Sequence, residues 1–346
     1  MSRPLARVAL AIGAVVATVG LSACGGSTQA AGGALAVVRL GYFPNLTHGT
    51  AIVADTEGFF ARHLGATKLQ VSTFSAGPAA MEALKSGALD ATYVGPGPAT
   101  NAFINSGGKA LTVVAGAATG GASLVVAPSI TKAADLKGKK VSTPSLGNTQ
   151  DIALRYWLKQ QGLTTDLQGG GDVSVVPQDN AQVVDAFKQK LIVGAWVPEP
   201  YATRLVAAGG KVLVNEHDLW PGRAFATTVL AVRTDFLAAH PATVTALLAG
   251  ELDATAFIAK NPAKAQKDVA DLIARISGKP MAQSVILAAW KQLEFTADPV
   301  ATSVLAGAQH AFAVGVLTKD PKLNAMINLS LLNNLLKAQG KPAIAP

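Results

Sequence analysis

The segment TPSLGNTQDIALRYWL, residues 143–158, combines small hydroxyl side chains, a glycine and a following amphipathic run. Three kinds of chemistry use such a segment: a serine nucleophile on a tight turn, a loop that cradles a phosphate, and a helix start whose backbone amides hold an anion. The first would place Ser145 in a hydrolase, the second would indicate a nucleotide-using protein, and the third a binding protein.

The motifs of the first two chemistries do not occur in the sequence. A nucleophile turn needs a glycine two residues before the serine, and Thr143 stands there before Ser145. No G-x-x-x-x-G-K-[ST] string occurs, and the GPGPAT run at 95–100 departs from a dinucleotide-binding fingerprint at Thr100. Neither a serine hydrolase nor a nucleotide-binding enzyme is supported.

Metal and thiol chemistry also lack their residues. The five histidines, at positions 48, 63, 217, 240 and 310, never fall at the spacing of metal ligands. Cys24 is the only cysteine, so the folded part of the chain has no disulfide and no thiolate nucleophile. We expect no catalytic residue, no metal and no cofactor.

The anion-binding interpretation fits the segment better. Asn148 and Thr149 are good N-caps for a helix over residues 149–161, and Gly147 lets a ligand approach the backbone. Free amides and the positive end of the helix dipole would then hold an anion. The helix would carry a solvent-exposed charged stripe of Asp151, Arg155 and Lys159. An ordinary capped helix is the alternative.

Other predicted strand ends place small or polar residues before a helix in the same way. These residues are Asn45, Thr47 and His48, then Ser75 and Gly77, then Gly95 and Gly97. The WVPEPY turn differs, because the carboxylate of Glu199 would repel an anion. The Glu199 side chain would instead accept a hydrogen bond from an amine of the ligand, polarise a hydrogen-bonded loop or face a partner protein. For Trp196, in the same turn, packing in the core is the alternative to a ligand contact.

The apolar pattern alternates between short strands and helices from residue 37 onward. Strands are predicted at 37–43, 69–74, 89–94, 111–116, 123–127, 139–143, 173–177, 191–197, 212–214 and 226–233. Helices are predicted at 50–63, 78–87, 97–107, 149–161 and 179–189, and again from Thr234 to the end, with breaks at prolines. This rhythm predicts an α/β protein with mostly parallel sheets covered by helices.

Length and an internal repeat predict two lobes. The chain has 346 residues, more than a single hydrophobic core usually supports. In addition, residues 83–97 align with residues 186–200 at a constant offset of 103, with chance similarity as the alternative. Equivalent loops beyond the strand ends would face each other across a cleft. The expected boundaries are lobe 1 over 37–127, lobe 2 over 128–225, and a return to lobe 1 with C-terminal helices over 226–346.

The N-terminus has the pattern of a bacterial secretory segment. Arg3 and Arg7 precede an apolar run that is shorter than the ~20 residues needed to span a bilayer. We predict a signal peptide over 1–23, followed by a lipidated N-terminus and tether over 24–36. The LSAC sequence that ends at Cys24 resembles a lipobox, in which the cysteine receives a diacylglyceryl thioether.

The charge of the chain excludes one class of partner. Loss of Arg3 and Arg7 with the signal peptide lowers the formal net charge of +8 by two, to +6. The remaining basic residues are scattered and form no stripe of the kind that nucleic acids require. A mild positive field still favours an anionic ligand.

Four stretches, in this order, resemble the bacterial ABC-transporter solute-binding proteins of the sulfonate, nitrate and taurine group, which are related to thiamine-pyrimidine binders. They are LGYFPNLTHGTAIVADTEGFF, FSAGPAAMEALKSGALDATYVGPGPA, DLKGKKVSTPSLGNTQDIALRYWLKQQGL and WVPEPYATRLV. The resemblance covers roughly residues 37–260. It implies a type II periplasmic-binding-protein fold, with two lobes, two crossings between them and closure on a ligand in the cleft.

The resemblance also implies ligand contacts, residue by residue. In lobe 1 they are Asn45, Thr47, His48, Ser75, Gly77, Gly95 and Gly97. In lobe 2 they are Gly147, Asn148, Thr149, Trp196 and Glu199. One departure weakens the assignment: the acidic residue usual before the aromatic-proline turn is missing, because Lys190, Ile192, Val193 and Gly194 occupy that region.

The resemblance implies a lipid-anchored, monomeric binding protein on the outer face of the cytoplasmic membrane. It would capture a small anionic organic solute, an aliphatic sulfonate or taurine before nitrate, and deliver it to an ABC permease and its ATPase. A binder of a thiamine pyrimidine or another heterocycle, stacked on Trp196 or Tyr93, is the alternative. An enzyme on the same fold is disfavoured because reactive groups are missing, and a sensor lipoprotein remains a third class.

Overall fold

The alternation of strands and helices predicted from residue 37 onward is present in the computed structural model, which describes residues 35–346. The predicted signal peptide, Cys24 and nearly all of the predicted tether lie outside the described residues. The strands are β1 Val37–Tyr42, β2 Lys68–Thr73, β3 Ala91–Val94, β4 Leu111–Gly120, β5 Ala122–Val126, β6 Lys140–Thr143, β7 Ser174–Pro177, β8 Gly194–Pro198, β9 Lys211–Asn215, β10 Ala226–Arg233 and β11 Leu293–Glu294.

The helices begin at the predicted strand ends and at the prolines of the C-terminal third. They are α1 Gly49–Thr56, α2 Phe59–Leu64, α3 Gly77–Lys85, α4 Pro96–Asn105, α5 Thr149–Gln160, α6 Asn180–Lys188, α7 Tyr201–Ala207, α8 Thr234–Ala239, α9 Pro241–Lys260, α10 Pro262–Ser277, α11 Gln283–Trp290, α12 Ala301–Ala313 and α13 Ser330–Ala338. The single helix predicted over 50–63 is two helices, because Gly58 adopts a φ of 71° that ends α1 and starts α2.

The strands form two sheets. The first has the order β11-β4-β10-β3-β1-β2 and the second the order β7-β6-β8-β5-β9. In each sheet one strand, β1 or β6, has a parallel partner on both sides. Antiparallel pairings then add β10, β4 and β11 to the first sheet and β5 and β9 to the second. We call the part of the chain around the first sheet lobe 1 and the part around the second sheet lobe 2. The lobe boundaries given above stay a prediction.

The expectation of mostly parallel sheets is wrong, because both sheets are mixed. β10 lies antiparallel between β3 and β4, and β5 lies antiparallel between β8 and β9. Two successive strands pair in parallel only when a long crossover connection joins them. β5 and β10 instead follow the segments by which the chain passes from one lobe to the other, and each joins its sheet as an antiparallel strand.

The chain crosses between the lobes twice. It first leaves lobe 1 at Gly120 and Gly121, between β4 and β5, with φ values of 73° and 68° that favour glycine. A Cβ at Gly120 would lie 2.4 Å from the ring of His217, and one at Gly121 would lie 2.3 Å from Leu293. Only glycine fits this crossing. The chain returns through two short 3₁₀ turns between β9 and β10.

Separate apolar cores hold the two lobes. Lobe 1 packs its sheet against α1, α2, α9, α10 and α13 on one side, and against α3, α4 and α12 on the other. Lobe 2 packs around Trp196, Leu154 and Val141 on one face of its sheet and around Val183, Phe187 and Leu205 on the other. By length and composition α9 could cross a membrane, but its apolar side chains belong to the core of lobe 1.

Candidate functional site

A small enclosed space lies between the lobes, at the ends of strands from both sheets. Its free volume is about 20 Å³, room for about one water molecule, so an organic solute would enter only when the lobes move apart. We call it the polar cavity, and its lining residues are Phe43, Asn45, Thr47, His48, Ser75, Gly95, Asn148, Gln150, Asn180, Pro198 and Thr227. Among these described residues there is no aspartate, glutamate, lysine or arginine, so the cavity is neutral and hydrogen-bonding.

Helix starts converge on the polar cavity. The residues that precede or open α1, α3, α4, α5 and α6 all contribute to its lining, through His48, Ser75, Gly95, Asn148 and Asn180. Each helix start carries the positive end of a helix dipole, although Pro96 and Pro98 have no N–H in α4 and the N–H of Gly97 already donates to Thr149 Oγ1. Their convergence makes the cavity electropositive without any charged side chain, which is the arrangement that holds an anion.

His48 contributes a neutral donor. Its Nδ1 accepts a hydrogen bond from the backbone N–H of Phe43 at 3.3 Å, and its ring stacks on that of Phe43 with centroids 4.4 Å apart. Burial lowers the pKa of His48 to about 3. Because Nδ1 accepts, the proton of the neutral ring lies on Nε2, which can donate to a ligand.

We expect His48 to reduce the stability of the protein in acid. The pKa of His48 is about 3 in the folded state, below the ~6.5 of an exposed histidine. Between pH 6.5 and pH 3, therefore, this side chain binds a proton only in the unfolded chain. Between pH 7 and pH 5 the free energy of unfolding should therefore fall by about 2 kcal/mol more in the wild type than in His48→Gln. Denaturant titrations at both pH values measure this difference, and equal losses would contradict a neutral, buried His48.

Two asparagines open the facing helices of lobe 2. Asn148 caps α5, and its Oδ1 accepts from the backbone N–H of Gln150 at 3.0 Å, which leaves its amide NH₂ for a ligand. Asn180 opens α6 and is 6% exposed, and its Oδ1 has no hydrogen-bond partner within the described residues. A buried acceptor without a partner is costly, so it requires a donor such as a water or an ammonium group of the solute, whereas sulfonate oxygens only accept.

The sequence analysis did not include five of the lining residues, namely Phe43, Gln150, Asn180, Pro198 and Thr227. Asn180 could have been found, because it follows the predicted strand at 173–177 and opens a helix as Asn148 does. Thr227 could not, since it comes from the strand that returns to lobe 1 and its place depends on how the lobes close.

Gly97 and Thr149 join the lobes beside the polar cavity. The backbone N–H of Gly97, in α4, donates to Thr149 Oγ1, in α5, at 3.1 Å. A Cβ at Gly97 would lie 3.0 Å from the backbone nitrogen of Thr149, so the glycine allows this close approach. These two residues therefore bind each other across the cleft.

Two other predicted contacts have a structural partner in place of a ligand. Gly77 packs against the ring of Pro98, where an added Cβ would lie 2.2 Å from Cγ. The backbone N–H of Gly147 donates to the carboxylate of Asp151 at 2.9 Å. Its amide is therefore bonded to Asp151, and the predicted contact of Gly147 with an anion stays a prediction.

Trp196 and Glu199 do not line the polar cavity. Trp196 is fully buried in the core of lobe 2, and its indole N–H donates to Glu216 Oε2 at 2.7 Å. The carboxylate of Glu199 accepts from the backbone N–H and the hydroxyl of Thr203, both at 3.0 Å, and so caps the first turn of α7. Both side chains are bonded to partners inside lobe 2, and their predicted contacts with a ligand stay predictions.

The predicted exposed stripe on α5 is wrong for two of its three residues, because only Lys159 is exposed. Asp151 and Arg155 are buried, and Arg155 Nε donates to Asp151 Oδ2 at 3.0 Å. The same carboxylate accepts from Gly147 and from the hydroxyl of Thr143 at 2.9 Å. This buried ion pair therefore holds the loop that carries Asn148 to the start of the helix.

Comparisons with known proteins agree with a binding role. The profile of the NMT1-like family matches residues 32–274. Over 230 residues the chain is 32% identical to a protein of Brucella abortus (strain 2308) named as a candidate binding protein, spanning 65% of this chain and 68% of that one. It is 29% identical to the taurine-binding periplasmic protein of Escherichia coli (strain K12), over 66% of this chain and 70% of that one.

Solved structures share the fold. The chain resembles the alkanesulfonate-binding protein SsuA from Xanthomonas axonopodis pv. citri, bound to MOPS, with a TM-score of 0.71, 19% identity and coverage of 86% of this chain and 99% of that one. The predicted two-lobe fold class is thereby confirmed. The proteins it resembles are binding proteins rather than enzymes, in agreement with the expectation from the motifs.

Proposed function

Because this chain belongs to the NMT1-like family, we propose that it is the extracytoplasmic solute-binding component of an ABC importer. It captures a small organic anion between its lobes and delivers that solute to a membrane permease driven by an ATPase. No bond is made or broken in this cycle, which consists of closure on the solute, docking and release.

The observation that carries this proposal is the composition of the polar cavity. Five helix starts and several neutral side-chain donors surround one enclosed space. A group whose oxygens only accept hydrogen bonds is complementary to such a lining, and a negative charge on it is stabilised by the helix dipoles. The absence of acidic side chains among the described lining residues removes the main source of repulsion.

A sulfonate fits these donors best, and we propose an aliphatic sulfonate or taurine as the solute class, with nitrate as the smaller alternative. Three acceptor oxygens can be met by the amide NH₂ of Asn148, by Nε2–H of His48 and by the hydroxyl of Ser75. The E. coli relative is a taurine-binding protein by name, which supports the same class.

The position of the aromatic residues disfavours a heterocycle binder. Stacking was expected on Trp196 or Tyr93, but both are fully buried. The hydroxyl of Tyr93 donates to Glu251 inside lobe 1 at 3.1 Å, and Trp196 donates to Glu216. Neither ring presents a face to the polar cavity.

A more open space formed by both lobes adjoins the polar cavity at Ser75 and would be its entrance. Lobe 1 contributes Ser75, Ala76, Pro78 and Ala79, and lobe 2 contributes Pro144, Ser145, Pro177, Gln178 and Asp179. Ser75 also lines the polar cavity. Cys24, outside the described residues, would attach the protein by a lipid to the outer face of the cytoplasmic membrane, near the permease it serves.

Thermal unfolding of the purified protein with a panel of solutes tests the proposal. A ligand present at 100 times its Kd should raise the free energy of unfolding by about 2.7 kcal/mol. Methanesulfonate, taurine, nitrate, sulfate and a hydroxymethylpyrimidine separate the solute classes. We expect the sulfonates to raise the melting temperature, and a panel without any shift would refute the proposed solute class.

A further inference from the structure

Helix α5 packs against both lobes, through two different faces. Leu154 and Leu158 lie in the apolar core of lobe 2. Ile152, on the same helix, is buried in the core of lobe 1, in a cluster with side chains of α4, β10 and α12. The loop before α5 carries Asn148 into the lining of the polar cavity. One helix therefore connects the predicted solute site with the contact between the lobes.

The face of α5 that meets lobe 1 has a regular spacing. Four residues stand three or four positions apart and so share one side of the helix, namely Thr149, Ile152, Tyr156 and Lys159. We call these four residues the contact face. Thr149 accepts the hydrogen bond from Gly97 of α4, and the rest of the contact face meets α12, which belongs to lobe 1.

Aromatic rings form the middle of this contact. The ring of Tyr156 stacks on that of His310, in α12, with centroids 3.6 Å apart and an interplanar angle of 11°. His310 also lies beside Trp220, with ring centroids 5.5 Å apart, in the segment by which the chain returns to lobe 1. Three rings thus connect α5, α12 and the second crossing, and such pairs attract beyond the area that they bury.

A charged hydrogen bond forms the far end of the contact. Lys159 Nζ donates to the backbone oxygen of Ala313 at 2.7 Å. Ala313 is the last residue of α12, so its oxygen is one of the four that a helix leaves without an internal partner. The negative end of the dipole of α12 favours a cation there. Because this bond is exposed, we expect it to contribute less than the stacked rings.

We propose that Tyr156 and Lys159 are positioning residues that set how long the lobes stay closed on the solute. Neither lines the polar cavity, yet both hold the helix that follows Asn148 against lobe 1. The polar cavity has about 20 Å³ of free space, so a solute would leave only when the lobes move apart and these contacts break. The kinetic part of the inference rests on the proposed function, whereas the contacts themselves are tested without a solute.

The distance between the lobes provides that test. Spin labels at Glu82→Cys in α3 and Asp185→Cys in α6 mark exposed positions on the two lobes. The labelled protein also carries Cys24→Ala, because Cys24 is the only natural cysteine. Pulsed electron paramagnetic resonance should show a larger fraction of long distances after Tyr156→Ala, since the stacked pair no longer holds α5 to α12. An unchanged distance distribution would overturn the proposed role.

Conservative variants distinguish the contact from a role in folding alone. Tyr156→Phe keeps the ring that stacks on His310 and should keep the distances of the otherwise unchanged protein. Lys159→Ala should open the lobes less than Tyr156→Ala does, and Lys159→Arg, which keeps a cationic donor, should not open them. A folding role would lower the melting temperature and leave the lobes of the folded protein equally far apart. Opening in Tyr156→Phe as large as in Tyr156→Ala would contradict ring stacking as the cause.

Release of the solute gives a second measurement. In the double variant Tyr156→Ala with Lys159→Ala, the dissociation rate constant of methanesulfonate should rise about tenfold, because lobes that open more often release the solute sooner. Stopped-flow tryptophan fluorescence of the intact protein follows this step. Gln160→Ala is the matched control, since Gln160 is exposed, adjacent to Lys159 and not part of the contact face. It should release the solute at the wild-type rate, and an unchanged rate in the double variant would refute the kinetic role.

The two measurements separate this inference from the proposed function. If neither methanesulfonate nor taurine binds while Tyr156→Ala still opens the lobes, the contact face keeps its role and the proposed solute class fails. If a sulfonate binds but neither the distances nor the release rate changes in the variants, the proposed solute class stands and this inference fails.

Discussion

Replacing Asn148 with aspartate is expected to abolish anion binding while the protein stays folded. Asn148 lines the polar cavity and caps α5 through its Oδ1, which accepts from the backbone N–H of Gln150 at 3.0 Å. Aspartate keeps this cap, because a carboxylate oxygen accepts the same hydrogen bond. It removes the amide donor and places a negative charge where the solute head would lie.

The expected loss of affinity is large. A like charge in a desolvated site costs several kcal/mol, so the Kd for a sulfonate should rise at least about 100-fold in Asn148→Asp. The stability of the free protein should stay constant or rise, because the carboxylate lies at the positive ends of several helices. The variant would then carry its own anion in the polar cavity.

Titration calorimetry measures the loss, and thermal unfolding without ligand measures the stability. Asn105→Asp is the matched control, since Asn105 lies at the exposed end of α4, outside the polar cavity. It should bind the sulfonate with wild-type affinity. If Asn148→Asp retained that affinity, the anion site would not lie at the start of α5.

Asp151→Ala is expected to destabilise the protein by about 3–5 kcal/mol, because it removes one partner of a buried ion pair. Arg155 is 1% exposed and is held by Asp151 through Nε at 3.0 Å, while its Nη2 has no partner within the described residues. Without the carboxylate, a buried guanidinium keeps only the backbone oxygen of Asp166, at 2.5 Å, as a hydrogen-bond acceptor.

The same variant should also disturb the site. Asp151 accepts from Gly147 N–H and from the hydroxyl of Thr143, so its loss frees the loop that positions Asn148. We expect a weaker response to sulfonate in the protein that still folds. Denaturant titration gives the stability and calorimetry gives the affinity.

Two controls show whether the effect comes from the buried charge. Asp271→Ala breaks an exposed pair with the same i, i+4 spacing, between Lys267 and Asp271, and should cost less than about 1 kcal/mol. The double variant Asp151→Leu with Arg155→Met should recover much of the lost stability, because an apolar pair of similar volume leaves no charge buried. A loss in Asp151→Ala as small as in the surface control would show that the buried pair contributes little.

Interactions between residues close in the chain were sufficient to predict most helices and strands and several of their ends. The helix that follows Asn148 begins at Thr149 as predicted from its N-cap residues, because capping depends on groups within three residues of each other. β10 has the predicted bounds of 226–233. Among the C-terminal helices, α9 and α10 begin at Pro241 and Pro262, since proline cannot continue a preceding helix. The absence of enzyme motifs likewise needed only the order of residues.

The composition of the polar cavity was predictable in part. Asn45, Thr47, His48, Ser75, Gly95 and Asn148 were named from strand ends and from the family resemblance, and all six line it. The carboxyl ends of strands meet at the cleft in this class of fold. A residue's position at a strand end therefore predicted that it lines the cavity. Whether these residues bind a solute stays a prediction.

Only the tertiary structure decided which side chains are buried and which partners they contact. Asp151 and Arg155 have the spacing of an exposed helix pair, yet the packing of α5 against lobe 2 buries both. Trp196 and Glu199 precede a turn that faces the cleft, but their side chains are taken by Glu216 and Thr203. A single sequence carries the period of a helix or strand, whereas the direction in which a face points depends on contacts between residues far apart in the chain. The hydrogen bond from Gly97 N–H to Thr149 Oγ1 and the polar cavity beside it arise from such contacts, between lobes that the order of residues alone does not bring together.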